Sequence, residues 1–246
     1  MSWAPEAHVR LQLVAVSLRE EGVVELLQQL VRKVWAYNVD RHEPAEIGDT
    51  NRSLGVTASE NIRSLVLREA DAPLRQGSLG KSVRISTADN SLLIHAAGIR
   101  LRVLKAPAAQ LLTEPKWDRD FDWAAESEVR LVAARDNHEG YVPVGVDDLF
   151  TGSLPPAGAA NLLQNVFLVW AGGSDSPLTA GWLGFPTVGE LPWLAVERLW
   201  WDQPGDLGRG ERVPHRQGPD DDDSFSSRPV PQPAVALKPA REESSQ

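Results

Sequence analysis

The sequence contains no cysteine in its 246 residues, and this absence removes several classes of chemistry. Disulfide bonds, thiolate metal ligands and cysteine nucleophiles are excluded. Long apolar runs are also missing, because Arg10, Gln12 and Arg19 interrupt the apolar residues near the N-terminus. That region has neither the basic start of a signal peptide nor a stretch that spans a membrane. We therefore expect a cytoplasmic protein without a membrane segment.

Histidine is scarce and positive charge is in deficit. The five histidines include no pair spaced three or four residues apart, so a helical zinc site is not expected. The 34 acidic residues outnumber the 25 basic ones, and the net charge of −9 disfavours phosphate binding by the whole surface. Tryptophan, by contrast, is abundant, with nine residues. Rings at this density predict either a core built on aromatic area or an exposed aromatic interface.

Apolar spacings of three and four predict helices in the first third of the chain. The first covers residues 5–21 and stops at Gly22, and the second runs from Val23 to Tyr37. Residues 40–56 are rich in turn formers and predict a loop. The run from Thr57 to Glu60 matches a capping box, which predicts a third helix over residues 61–70.

From Ser82 the apolar period changes to two, which predicts strands. Residues 83–87, 91–97 and 99–103 form a three-stranded antiparallel meander with one wet face, turning at Asp89 and Asn90. Three more strands are expected at 165–171, 179–185 and 193–201, and they either extend the first sheet or pack on it. The pattern leaves residues 126–135 open between helix and strand.

The predicted fold class is α+β, with N-terminal helices packed on an antiparallel, tryptophan-rich β-sheet. One domain covers residues 1–202, with a helical part over 5–72 and a β-rich part over 80–202. After Asp202, glycine, proline, serine and charged residues replace the apolar periodicity. Such composition cannot bury enough apolar surface to offset the ordering entropy, so residues 203–246 are predicted to form a disordered tail.

Basic residues collect between positions 60 and 105, where eight bases stand against four acids. The run from Leu54 to Thr57 and the helix behind it resemble the turn and second helix of a helix-turn-helix, with the meander as a wing. We therefore expect a non-enzymatic binding protein without a cofactor. Its partner is a nucleic acid or another protein, met through exposed tryptophans or through a set of basic side chains: Arg63, Arg68, Arg84, Arg100, Arg102 and Lys105.

Alternate carboxylates between Trp117 and Trp123 support a second hypothesis. A calcium loop is rejected, because its sixth position is Trp123 and its twelfth is Val129. The alternative function is a divergent metal-dependent hydrolase or nuclease that holds a divalent metal through acids of residues 118–128. A simpler interpretation is an acidic outer face with the aromatic rings packed inward. The four candidate metal ligands are Asp118, Asp120, Asp122 and Glu126.

A related pattern ends the third meander strand. Metal-dependent nucleases place one acid and then, on the next strand, an acid-x-lysine sequence that holds Mg²⁺ and orients water. Asp89 precedes a strand that ends Val103-Leu104-Lys105. The lysine of the pattern is therefore present, whereas Val103 stands at the position of the second metal ligand.

Overall fold

Three helices open the computed structural model, which describes residues 4–71, 79–88, 91–107, 109–141 and 159–204. Gly22 separates the first two helices with a φ of +73°, in the left-handed region that glycine enters without steric cost. None of the described helices is long and apolar enough to cross a membrane. The helix bounds are Pro5–Glu20 for α1, Val23–Asp40 for α2 and Asn51–Asp71 for α3.

The third helix begins ten residues earlier than the sequence predicts. Thr50 and Ser53 cap it reciprocally: the Ser53 amide donates to Thr50 Oγ1 at 3.0 Å, and the Thr50 amide donates to Ser53 Oγ at 2.9 Å. A serine thus does what the glutamate of a capping box does. The loop over 40–56 is therefore too long in the prediction, and the capping box at Thr57–Glu60 is wrong. The helix-turn-helix resemblance is wrong as well, because residues 54–57 are helical.

A six-stranded sheet follows, and its order along the sheet is the order along the chain. The meander and the later strands therefore belong to one sheet, which resolves the alternative that the sequence left open. The strands are β1 Arg84–Ala88, β2 Ser91–Ala96, β3 Ile99–Lys105, β4 Asn165–Gly172, β5 Thr179–Pro186 and β6 Trp193–Trp201. The turn predicted at residues 89–90 and the predicted tail from residue 205 onward lie outside the described residues.

One strand pair departs from the antiparallel arrangement. β3 and β4 pair in parallel, from Arg100 opposite Asn165 to Lys105 opposite Trp170, whereas every other neighbouring pair is antiparallel. A parallel pair needs a crossover connection. Here the crossover includes α4 Trp123–Glu126, α5 Glu128–Tyr141 and a 3₁₀ helix over residues 159–162. The segment left open between helix and strand is therefore helical.

Helices cover the sheet on both sides, so the middle strands have no wet face. Alternate residues of β4 show this: Val166, Leu168 and Trp170 belong to the core shared with α1–α3. Phe167 and Val169 belong to a second core that contains residues of α4 and α5. Burial on both faces explains why β4 reads as a continuous apolar run. We call these two sides the α1–α3 face and the α5 face.

The tryptophans build the core rather than an interface. Seven of the eight in the described residues are buried, and Trp201 is half-buried. On the α5 face, Trp123 and Trp193 meet edge to face with centroids 4.9 Å apart, and Trp117 contacts Trp182 in the same way at 5.4 Å. The prediction of exposed tryptophans that meet a partner is therefore wrong for the described part of the chain, and that of an aromatic core is confirmed.

Candidate functional site

A pocket of about 530 Å³ opens between α3 and the carboxyl end of β3. Because β3 and β4 are parallel, their carboxyl ends meet at the same edge of the sheet, and Trp170 of β4 therefore borders the pocket as well. Gly55, Ser59 and Arg63 line it from α3, and Lys105 lines it from β3.

Lys105 is the one lysine among the described residues that line this pocket. It is the last residue of β3, and its side chain lies on the α1–α3 face. The Nζ atom lies 5.4 Å from the ring centre of Trp35 in α2 and 5.5 Å from that of Trp170. Aromatic faces attract a cation electrostatically, by about 0.5–1 kcal/mol per ring at exposed sites and more where water is excluded. The ammonium group thus lies beside a pair of indoles that contact each other edge to face, with centroids 5.6 Å apart.

Lys105 has no carboxylate partner within the part of the chain that the structure describes. Within the described ranges Lys105 donates one hydrogen bond, to the carbonyl oxygen of Ala106 at 3.3 Å. Burial disfavours the charged form and lowers the pKa of Lys105 from 10.5 to about 8. A lysine in this state is both a cation available to an anion and an amine that is partly neutral near physiological pH.

Gly55 provides the space for the Lys105 side chain. A Cβ atom at this position would lie 3.1 Å from Cε and 3.2 Å from Cδ of Lys105. Glycine inside a helix costs about 1 kcal/mol relative to alanine. The glycine therefore brings the α3 backbone close to the lysine at a cost in helix stability.

Three arginines add to the positive charge of the pocket. Arg52 in the first turn of α3 has no ion-pair partner among the described residues. Arg63 pairs with Glu60 one turn away, and Arg130 of α5 pairs with Glu126. Among the lining residues that the structure describes, Glu60 is the single acid against four bases. The pocket is positive within a chain whose net charge is −9.

The six predicted basic side chains lie in three places. Arg63 and Lys105 both line the pocket, whereas Arg68 is exposed near the end of α3. The other three, Arg84, Arg100 and Arg102, lie on the α5 face, because the strand alternation places them opposite Lys105.

The basic side of the meander is partly used by local contacts. Arg84 donates to the carbonyl oxygens of Lys81 and Val83, at 2.8 and 2.9 Å. Arg100 contacts Asp136 of α5 at 3.3 Å. The predicted wet face is thus wet at β1 but half-covered at β3, where α5 approaches.

The four predicted metal ligands are each engaged in a local contact. Asp118 pairs with Arg119, and Asp120 accepts the amide of Lys116 at 2.8 Å. Asp122 caps α4 by accepting the amides of residues 124 and 125, and Glu126 pairs with Arg130. No three acidic or histidine side chains of the described ranges form a group that could hold a metal ion. Because Phe121 and Trp123 are buried, the acids form an outer face with the rings packed inward.

The residues of the acid-x-lysine pattern at the end of β3 lie in the pocket. Val103 and Lys105 lie on the same side of β3, and both line the pocket. An apolar side chain therefore stands where the pattern places a metal ligand, while Asp89 lies outside the described residues. The pocket has the cation of such a site and lacks its carboxylate on β3.

Sequence reasoning missed most of the partners of Lys105. Trp35 and Trp170 lie 70 and 65 positions away from it along the chain, and the turn-rich sequence around Arg52 predicts a loop. The signals present were Gly55 beside a helical pattern and a charged residue that ends an apolar strand. Comparison with protein-family models, with curated proteins and with solved structures finds no match.

Proposed function

We propose that this chain is a binding protein whose pocket between α3 and β3 takes a phosphate-bearing ligand. The observation that carries the proposal is the placement of Lys105 in an open pocket, without a carboxylate partner among the described residues. A buried cation without a counterion is costly, and an anionic ligand supplies the missing charge. Arg52 and Arg63 supply planar guanidinium groups, which match phosphate oxygens in geometry.

The arrangement favours a compact ligand over a long nucleic-acid backbone. The bases that line the pocket stand together, whereas Arg84, Arg100 and Arg102 lie on the opposite side of the sheet. One polymer strand does not reach both sides without passing around an edge of the sheet. A net charge of −9 also opposes extended contact with a polyanion. A nucleotide or the phosphorylated end of an oligonucleotide fits these conditions.

The test uses the tryptophans beside the lysine as a reporter. Sulfate, inorganic phosphate, a nucleoside monophosphate and a single-stranded oligonucleotide are titrated separately, and intrinsic fluorescence and heat are followed. We expect saturable binding and competition between the small anions and the oligonucleotide. The salt dependence should correspond to about two or three phosphate contacts, with a logarithmic slope of about −2 for the oligonucleotide.

Matched variants locate the site. Lys105→Met and Arg63→Met should each weaken anion binding by about tenfold, since each removes one charge-assisted contact. Lys33→Met is the control, because Lys33 is exposed on α2 and does not line the pocket. Equal affinity in wild type and Lys105→Met would contradict the proposal. A slope of −6 or steeper would instead assign binding to an extended surface.

A further inference from the structure

We propose that Lys105 is a nucleophilic amine that forms an imine with aldehydes, and that phosphorylated aldehydes are the ligands the pocket favours. The amine part stands on the geometry around Nζ and on the burial of the side chain, and does not need the anion site. The preference for a phosphorylated reagent rests on the proposed function, because it needs the anion site formed with Arg52 and Arg63.

The surroundings of Nζ leave the amine available for reaction. No described carboxylate holds the ammonium, and the rings of Trp35 and Trp170 provide no acceptor atom for a strong hydrogen bond. The hydrogen bond to the carbonyl oxygen of Ala106 is long, at 3.3 Å. Gly55 has no Cβ atom that would contact the side chain where α3 approaches it. Lysines placed in desolvated sites or near other cations are the ones that act as nucleophiles in proteins.

The lowered pKa leaves a larger fraction of the Lys105 amine neutral, and so able to react, than in an ordinary lysine. With a pKa of about 8, about a quarter of its amine is neutral near pH 7.5, against about one in a thousand for a lysine at 10.5. Burial of the side chain disfavours the charged form and is the cause of the lowered pKa of Lys105. The other four lysines of the chain are Lys33, Lys81, Lys116 and Lys238.

The reaction balances without an added oxidant or reductant. The lone pair of the neutral amine attacks the carbonyl carbon, and the carbonyl oxygen takes up a proton to give a carbinolamine. Loss of the remaining nitrogen proton and of the hydroxyl group as water forms the carbon–nitrogen double bond. The net change is one amine and one aldehyde giving one imine and one water.

The pocket has room and charge for an aldehyde that carries a phosphate. Its volume of about 530 Å³ exceeds that of a small phosphorylated ring compound. The phosphate would lie toward Arg52 and Arg63 of α3, and the aldehyde toward β3. Val103 and Leu92 line the pocket with apolar surface against which a ring can pack.

The experiment compares two probes that differ by one phosphate. The full chain is treated near neutral pH with limiting pyridoxal 5′-phosphate or pyridoxal, reduced with borohydride and mapped by peptide mass spectrometry. We expect Lys105 to be labelled about tenfold more than Lys33, Lys81 or Lys116 by either reagent. Pyridoxal 5′-phosphate should label it at lower concentration than pyridoxal, and sulfate should remove that advantage.

The outcomes separate the two proposals. If Lys105 is labelled no faster than Lys33 by both reagents, the nucleophilic amine is refuted. If both reagents label Lys105 selectively but equally and sulfate has no effect, the amine stands and the anion site is refuted. Lys105→Arg is the folded control, because it keeps a cation in place and should show no label at position 105.

Discussion

Lys105 and Trp170 are register partners across the parallel pair β3–β4, and the lysine Nζ lies 5.5 Å from the centre of the indole ring. A parallel pair brings the ends of two strands that are far apart in sequence to one edge of the sheet. Trp35 approaches the same ammonium from α2. The pocket is thus a product of the crossover topology and does not belong to a single local motif.

Stability should depend on pH through Lys105. Its pKa is about 8 in the folded chain and 10.5 in an exposed lysine, so between these values the unfolded state binds more protons. The free energy of unfolding therefore rises as pH increases from 8 toward 10.5, by at most about 3 kcal/mol from this group. Well below pH 8 the lysine is protonated in both states, so burying its charge lowers the free energy of unfolding by an amount that does not change with pH.

Lys105→Met should remove this dependence. The variant is expected to be more stable than wild type at pH 7, because it no longer buries a charge, and the difference should shrink by pH 9.5. Urea unfolding at both pH values measures it. Burial, followed by the charge of Glu6, raises the pKa of Tyr141 in the folded chain. Tyr141 therefore lowers the free energy of unfolding at the high pH where an unfolded tyrosine ionises, so the measurements stay below pH 10. A difference that does not change with pH would contradict the lowered pKa.

Anion affinity should decline over the same range. Sulfate keeps the same charge over this pH range, so a change in its affinity reflects a change in the charge of the protein. Loss of the ammonium proton removes the central charge of the pocket, and we expect affinity for sulfate to fall about tenfold between pH 7 and 9. Calorimetry at several pH values measures this. In Lys105→Arg, which keeps its proton, the affinity should stay nearly level over these values.

Two glycines should respond in opposite ways to substitution by alanine. In Gly55→Ala the new Cβ meets the flexible Lys105 chain at 3.1 Å, so the chain gives way and the helix gains up to about 1 kcal/mol. In Gly172→Ala the Cβ would lie 2.3 Å from the Trp35 ring, which is rigid and buried, and we expect a loss of about 1–3 kcal/mol.

Binding should separate these variants from a general effect on stability. Gly55→Ala is expected to weaken sulfate binding although it melts no lower than wild type, because it displaces Lys105 from its rings. Thermal unfolding and calorimetry on the same samples compare the two properties. Unchanged sulfate affinity in Gly55→Ala would show that the close approach of α3 to the lysine has no role in binding.

Helices and strands could be predicted from the sequence where the spacing of the apolar residues matches the side that is buried. Alternation over residues 99–103 predicts β3, and the stripe of Val23–Tyr37 predicts α2, because each has one clear apolar side. The sequence predicts a shorter α3, because Gly55 and the polar residues 49–53 are typical of a loop. In the structure Ser53 completes the helix cap and Gly55 accommodates Lys105. The site depends on contacts between residues 65 or more positions apart, Trp35 and Trp170 with Lys105, and no local pattern specifies such pairs.

Asp202 links the sheet to α2, and we expect its replacement to lower the free energy of unfolding. The buried carboxylate accepts from Arg32 Nε at 2.9 Å, from the Thr179 amide at 3.0 Å and from Thr179 Oγ1 at 2.8 Å. It therefore ties the end of β6 to the start of β5 and to α2. Asp202→Ala leaves buried donors without an acceptor, and we expect a loss of about 3 kcal/mol in the free energy of unfolding.

An exposed ion pair provides the matched control for that variant. Asp118 contacts Arg119 at 3.3 Å, and the arginine side chain is 75% exposed. Water already solvates both charges, so Asp118→Ala should change the free energy of unfolding by less than about 0.5 kcal/mol. Urea unfolding of the two variants beside wild type compares them. Equal losses would mean that the number of ion pairs matters more than their burial, which contradicts the role given to Asp202.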